Sequence, residues 1–295
     1  RITSGIEASK ASLNAARYGE AGEMQELKLR VAEAFTTVLR TTQGLAVANS
    51  HVASLQAHAT DVQNLFEQGV VARNDLLAAQ VALADARQQA IQAANAVDIT
   101  RAAYNRLLGR PLDQGVTLDE IAPQTANDPL PAVTERALRQ RPELGALADQ
   151  IRALRHQATA VRAETAPQVA LSGGYGYQEN RYQVYPGQWS ATLGARWNLF
   201  DGGMANHRAD AVNRQEAALQ ERRDDFATVI ELQVRQAWLD IQETRKRVEV
   251  TQSAIAQAEE NLRVNRDRYA NGLATNTEVL TAETLRLVSQ NNHVN

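Results

Sequence analysis

The residues able to do chemistry are few and scattered. His51 and His58 stand seven apart, hence on one face of a helix, where a pair could hold a metal ion; a surface or interhelix role is the preferred reading. His156 and His207 have no partner nearby in sequence, and the two methionines, Met24 and Met204, offer no thioether route for Cu(I). Gly173-Gly174-x-Gly176 lies inside a strand pattern and not at a strand-to-helix turn, so it does not read as a phosphate loop. Asp and Glu pairs are plentiful, but as on any solvated helix face. No nucleophile stands beside a base. The chain reads as a non-enzyme, with no cofactor and no metal site.

Composition narrows the class further. The 31 Lys+Arg against 34 Asp+Glu leave a formal charge of −3, which argues against a nucleic-acid partner. With no Cys, a disulfide scaffold, a thiolate metal site and a Cys nucleophile are excluded. Aromatics are only 5%, and about one residue in six is Ala, so long helices with a thin core are expected. No run reaches the roughly 18 apolar residues of a membrane-spanning helix. The sequence opens on Arg1 and closes on Asn295 partway through a repeat, so further chain is expected at both ends.

That repeat organises everything else. A shift of 203 places Val31, Ala34, Phe35 and Val38 on Val234, Ala237, Trp238 and Ile241, and Phe66, Gly69, Asp75, Leu77 and Ala79 on Tyr269, Gly272, Glu278, Leu280 and Ala282. No gap is needed, as expected of duplicated helices, which tolerate insertions less well than loops. Each block reads as a helical hairpin. Apolar residues recur at three- and four-residue spacing over about 1–67 and 204–270. Gly69 and Gly272 then suit tight turns with positive φ. Thr275-Asn276-Thr277-Glu278 has the form of a capping box, whereas Ala72 replaces the Thr in the first block and leaves Asp75 to favour the helix start. The first returning helix runs to about Leu108 and stops at Gly109-Arg110-Pro111.

Between the blocks the pattern changes twice. Residues 110–142 are broken by prolines, and only 133–140 looks helical; a further helix runs from Glu143 to about Glu164. The period then switches to two. Val169, Leu171, Gly173, Tyr175 and Tyr177 alternate with small or polar residues, and so do Trp189, Ala191, Leu193, Ala195, Trp197 and Leu199 across 188–200. These are two strands joined by the polar loop 180–187, with Asp201-Gly202-Gly203 returning the chain to helix.

Strands of this length with one apolar face match a transmembrane β-barrel, with Tyr175, Tyr177 and Trp189 at one membrane interface and Trp197 at the other. A half-buried soluble hairpin fits the strands alone equally well. However, a two-stranded ribbon cannot lie alone in lipid, because its edge amides would be unpaired. Several chains must then pool strands; with a second hairpin before residue 1, three protomers would supply twelve. A helix over 204–270 spans about 100 Å at about 1.5 Å per residue, a dimension suited to a conduit across the periplasm.

The motifs resemble the TolC-type outer membrane efflux family. The similarity is carried by Leu130-Pro131, Arg141-Pro142-Glu143-Leu144, Ala166-Pro167-Gln168-Val169-Ala170-Leu171 with Gly173-Gly174-Tyr175, Trp197-Asn198-Leu199-Phe200-Asp201-Gly202-Gly203, and Tyr269-x-x-Gly272 followed by Glu278-Val279-Leu280. The resemblance implies a mainly α fold of duplicated, long antiparallel helical hairpins (an α-barrel protomer) plus transmembrane β-barrel strands. Its divisions would be a first periplasmic helical hairpin (1–109), an irregular equatorial segment (110–142), a helix returning to the membrane (143–166), the barrel hairpin (167–203) and a second, truncated helical hairpin (204–295). It implies a homotrimer in the outer membrane of a Gram-negative bacterium, with most of the chain in the periplasm. Function would be passive export, as the duct of a tripartite efflux or type I secretion system. Partners would be a periplasmic adaptor (membrane fusion) protein, an inner-membrane transporter and outer-membrane lipid. The tip turns Gly69-Val70 and Gly272-Leu273 would meet the adaptor. Tyr269 and Asp75 match a gate network and Glu278 an acidic lumen position; Ala274 stands where the network has Arg, and Thr281 where a second acid is found.

Physical readings stay open beside these. A ring of carboxylates in a narrow tunnel concentrates cations, yet Asp75 and Glu278 could equally stabilise helix N-termini, and Tyr269 could be an interhelix packing residue. Two other classes remain. A periplasmic adaptor should carry a lipoyl-like β-domain around one hairpin; a soluble coiled-coil scaffold gives no reason for Trp189 and Trp197.

Overall fold

The structure, a computed structural model, describes residues 1–119, 128–179, 181–182 and 184–295. The middle of the irregular segment (120–127) and residues 180 and 183 of the strand loop lie outside the described residues.

In chain order the elements are α1 (Ile2–Glu67), α2 (Arg73–Leu107), α3 (Leu130–Gln140), α4 (Pro142–Arg162), β1 (Gln168–Tyr177), β2 (Gly187–Arg196), α5 (Met204–Ala270) and α6 (Asn276–Val294). The duplication is visible to the residue: α1 and α5 end 203 apart, and α2 and α6 start 203 apart. No described helix is long and apolar enough to cross a membrane.

The chain divides into two compact units, residues 1–24 with 128–235 and residues 25–127 with 236–295. In the second, Leu55, Ala59 and Val62 of α1 meet Leu76, Ala79, Leu83 and Ala86 of α2, Leu262 and Tyr269 of α5, and Val279 and Ala282 of α6. Their three-, four- and seven-residue spacings make narrow coiled-coil seams. Alanine in the seam lets helix axes approach closely, which explains how so much Ala yields a packed core.

In the first unit, Ala11 and Ala15 of α1, Ile151 and Ala158 of α4, and Ala205, Ala209 and Ile230 of α5 are buried. Gly145 lets the Tyr18 ring lie against α4, where a Cβ would come within 2.8 Å of it. The Arg141-Pro142-Glu143 sequence makes the α3–α4 corner. Arg141 is extended (φ −66°, ψ 118°), as the residue before proline must be, and Pro142 opens α4. Arg141 Nη1 then reaches Glu143 Oε1 at 3.0 Å, and its Nη2 donates to Gln233 Oε1 at 2.9 Å.

Two expected limits shift. Helix α3 starts at Leu130 and not at 133, because Pro131 fits the first helical turn, where its missing N–H is no loss. Strand β2 ends at Arg196 and not at Phe200, because its partner ends at Gln168; the register runs from Gln168↔Arg196 to Tyr177↔Gly187. Beyond it, Trp197 Nε1 donates to the Thr165 carbonyl at 3.1 Å.

That antiparallel register puts the two apolar sets on one face. Val169 pairs with Ala195, Leu171 with Leu193, Gly173 with Ala191 and Tyr175 with Trp189. The last pair stacks with ring centroids 4.9 Å apart. The whole ribbon is exposed but for its end residues Gln168 and Gly187.

Asp201-Gly202-Gly203 works as a helix start. Both glycines have positive φ, and the Asp201 carboxylate accepts from the N–H groups of Gly203 and Ala205, each at 2.9 Å. The bonds from Ala205 and Gly203 hold its carboxyl below the usual range.

Candidate functional site

The two hairpin turns of the second unit are built alike. Gly69 (φ +73°) follows α1 and Gly272 (φ +70°) follows α5. Each glycine N–H donates three residues back, to Phe66 and Tyr269, and the next N–H donates five back, Val70 to Leu65 and Leu273 to Arg268. This is a Schellman closure, which needs the left-handed conformation glycine supplies. Val70 and Leu273 are left 63% and 69% exposed on the turns.

The helices that follow start differently. Thr275 Oγ1 accepts from the Glu278 N–H at 3.3 Å, while Glu278 Oε2 accepts from the Thr275 N–H at 2.6 Å, a complete capping box. That backbone bond holds the Glu278 carboxyl below its ordinary range, and the side chain is otherwise exposed. Helix α2 has Ala72 at the same place and no side-chain cap. Asp75 is half-buried in its first turn, and its carbonyl accepts from Asn276 Nδ2 at 3.1 Å.

From Asn276 a polar network runs inward. Asn276 Oδ1 meets His58 Nε2 at 2.7 Å, and both residues are buried. The His58 ring packs on Tyr269 with centroids 5.6 Å apart. Burial is the main reason the His58 pKa falls below its usual value. The Tyr269 hydroxyl is buried without a hydrogen-bond partner among the described residues. Burial first, and the charge of Asp75 second, push that phenol up. No hydrogen bond joins the Tyr269 hydroxyl to Asp75 among the described residues. Ala274 packs against the core beside them, and Thr281 Oγ1 donates to the Thr277 carbonyl at 2.8 Å.

A second cluster is centred on Glu283, whose side chain is 1% exposed. Its Oε1 accepts from Ser54 Oγ at 2.6 Å and from Arg266, and its Oε2 accepts from Arg286 Nη2 at 3.3 Å. His51 Nδ1 lies 3.5 Å from Oε2. Arg266 also donates to the Ser54 carbonyl at 3.0 Å. Burial alone would raise the Glu283 pKa; His51, Ser54, Arg266 and Arg286 outweigh it and bring it down to about 2. The cluster thus ties α1, α5 and α6 through one buried carboxylate.

Sequence reasoning treated His51 and His58 as surface or interhelix residues, and both lie between helices. Glu283, Arg286, Arg266, Ser54 and Asn276 were missed. A usable signal existed: Glu283 and Arg286 fall on the stripe of Val279 and Ala282, whereas the matching positions of the first block are Gln80 and Leu83. A groove of about 260 Å³ beside the network is lined by His58, Asp61, Asn64, Leu65, Arg266 and Tyr269. No group of three or more His, Cys, Asp or Glu able to hold a metal occurs among the described residues.

Two helical hairpins in tandem, separated by one exposed β-ribbon, define a duplicated helical-hairpin protein. A family model described as outer membrane efflux protein matches residues 1–110 and 133–295. The chain belongs to the outer membrane efflux protein family. The alkaline protease secretion protein AprF of Pseudomonas aeruginosa is 26% identical over 275 residues, covering 88% of this chain and 56% of its own length. The chain therefore spans little more than half of that relative. The crystal structure of the outer membrane protein VceC from Vibrio cholerae matches with a TM-score of 0.85 at 18% identity, over 99% of this chain and 71% of that one. The Campylobacter jejuni outer membrane channel CmeC matches with a TM-score of 0.82 at 15% identity, over 99% of this chain and 64% of that one. At these identities the two structures speak for the fold.

Proposed function

We propose that this chain is part of a passive outer-membrane duct, a homotrimer whose pooled strands close a twelve-stranded barrel and whose helical hairpins line a periplasmic tunnel. The observation that carries this reading is the ribbon. Val169, Leu171, Tyr175, Tyr177, Trp189 and Leu193 share one face and are 55–84% exposed. No soluble layer among the described residues covers that face, and the two-stranded sheet leaves both edges unpaired. Lipid covers such a face, and further strands must satisfy such edges. Ten residues at about 3.4 Å, tilted by about 45°, rise about 24 Å, close to the apolar band of a barrel wall at about 25 Å. The ring pair Tyr175–Trp189 and the hydrogen-bonded Trp197 suit the two interfaces.

Such a duct does no covalent chemistry. An inner-membrane transporter supplies the work and chooses the cargo, and a periplasmic adaptor docks at the turns Gly69-Val70 and Gly272-Leu273. Tyr269 and Asp75 belong to the gate on this reading. Three copies of Glu278 would place negative charge in the tunnel mouth and concentrate cations there. AprF is named for secretion of a protease; a tunnel that leaves selection to its pump can serve protein or small-molecule export alike.

The full-length protein extracted in detergent should be a trimer by native mass spectrometry and should open ion-conducting pores in planar bilayers. A stable monomer that needs no detergent and conducts nothing would overturn the reading in favour of a soluble scaffold.

A further inference from the structure

The face of the ribbon opposite the apolar one carries one unbalanced charge. In register it pairs Gln168 with Arg196, Ala170 with Gly194, Ser172 with Thr192, Gly174 with Ser190 and Gly176 with Gln188. Nine of these ten side chains are small or neutral. Only Arg196 is charged, and it is exposed.

No carboxylate pairs with it among the described residues, and the polar side chains of the neighbouring segments have other partners. Opposite it, Gln168 Oε1 accepts from Arg1 Nη1 at 3.2 Å. Glu164 is shared by Arg1 at 3.7 Å and Arg208 at 3.8 Å. The carboxylate of Asp201 is occupied by the N–H groups that start α5. The Arg196 guanidinium has no hydrogen bond, ion pair or ring contact among the described residues. Strand alternation forbids it from joining the face of Trp189 and Leu193 without a slip of register that would bury every polar residue of the ribbon in lipid.

On the barrel reading proposed above, that face lines the lumen. We infer that Arg196 forms a ring of positive charge at the α5 end of the barrel and acts as a selectivity element for small anions. A guanidinium presents several donors in a planar fork, suited to carboxylate and phosphate oxygens. Small neighbours leave it free to reach into the lumen. A charge ring in a confined channel raises the local concentration of counter-ions.

The test uses the full-length trimer in planar bilayers under a KCl gradient, with wild type, Arg196→Lys, Arg196→Ser and Arg196→Glu. Arg196→Lys keeps the charge and should keep the wild-type reversal potential. Arg196→Ser should move it toward cation selectivity and Arg196→Glu further, raising the cation-to-anion permeability ratio on the order of threefold. The shift should shrink at about 1 M salt, where the Debye length falls to about 3 Å. Pores of normal conductance with one common reversal potential for all four proteins would remove Arg196 from the lumen and overturn the inference while leaving the barrel intact. Absence of conductance from the wild type would overturn the barrel reading and this inference with it.

Discussion

Glu283→Ala should cost the second unit about 3 kcal/mol of local stability. Deleting one member of a buried ion pair costs about 3–5 kcal/mol, because the surviving charges stay buried without a partner. Arg286 is such a survivor, with 9% of its side chain exposed. Arg266 keeps 35% of its side chain in solvent, so hydration recovers part of the loss and the lower end applies. The carboxyl itself leads to a similar figure: a fall from 4.5 to about 2 corresponds to about 3 kcal/mol at about 1.36 kcal/mol per unit. The sign follows from linkage. A carboxyl whose pKa is lower in the folded state stabilises fully above pH 4.5 and loses that contribution as pH falls toward 2. The assay is amide hydrogen exchange along α6 in the full-length protein at pH 7. Protection in Glu283→Ala should drop about a hundredfold. Glu283→Gln keeps an acceptor for Ser54 and should lose less. Protection within threefold of wild type in Glu283→Ala would refute the argument, since it would mean that the cluster neutralises or hydrates at no cost.

Other expectations are simpler. Leu193→Lys on the apolar face should cost about 2–4 kcal/mol and cut trimer yield in membranes, whereas Thr192→Lys on the opposite face should insert normally; equal behaviour would contradict the assigned faces. Gly272→Val forces a β-branched residue to φ +70° and should reduce adaptor capture in pull-downs while leaving trimers intact. Its turn has room for a side chain, so the strain lies in the backbone alone. Glu278→Gln should move reversal potentials toward anions; an unchanged value would place that side chain outside the lumen. His58, whose pKa is lowered by burial, stabilises its surroundings above its ordinary value of 6.5 and loses that as pH falls. Exchange protection around it should therefore decline between about pH 7 and 5, and His58→Gln should flatten the decline.

The repeat, the helix ends and the strand faces were legible because each rests on local rules. Helical period, the glycine that closes a Schellman turn and the Thr-x-x-Glu cap all act within a few residues. Alternation also assigned the two faces before any register was known, since pairing two strands of matched parity leaves one face apolar. Helix α3 started three residues early for a local reason as well, the tolerance of a first turn for proline. The end of β2 was different: it depended on where the partner strand stopped.

The duplicated hairpins, their turns and the greasy side of the ribbon follow from local sequence, because each is decided by neighbours along the chain. Packing in three dimensions selected which of the 34 acidic residues would be buried. Glu283 finds Ser54 229 positions away and Arg266 17 away, and Gln168, across the ribbon from Arg196, accepts from Arg1, 167 positions back along the chain. Charge pairing depends on distance and solvent access in space, and packing sets both.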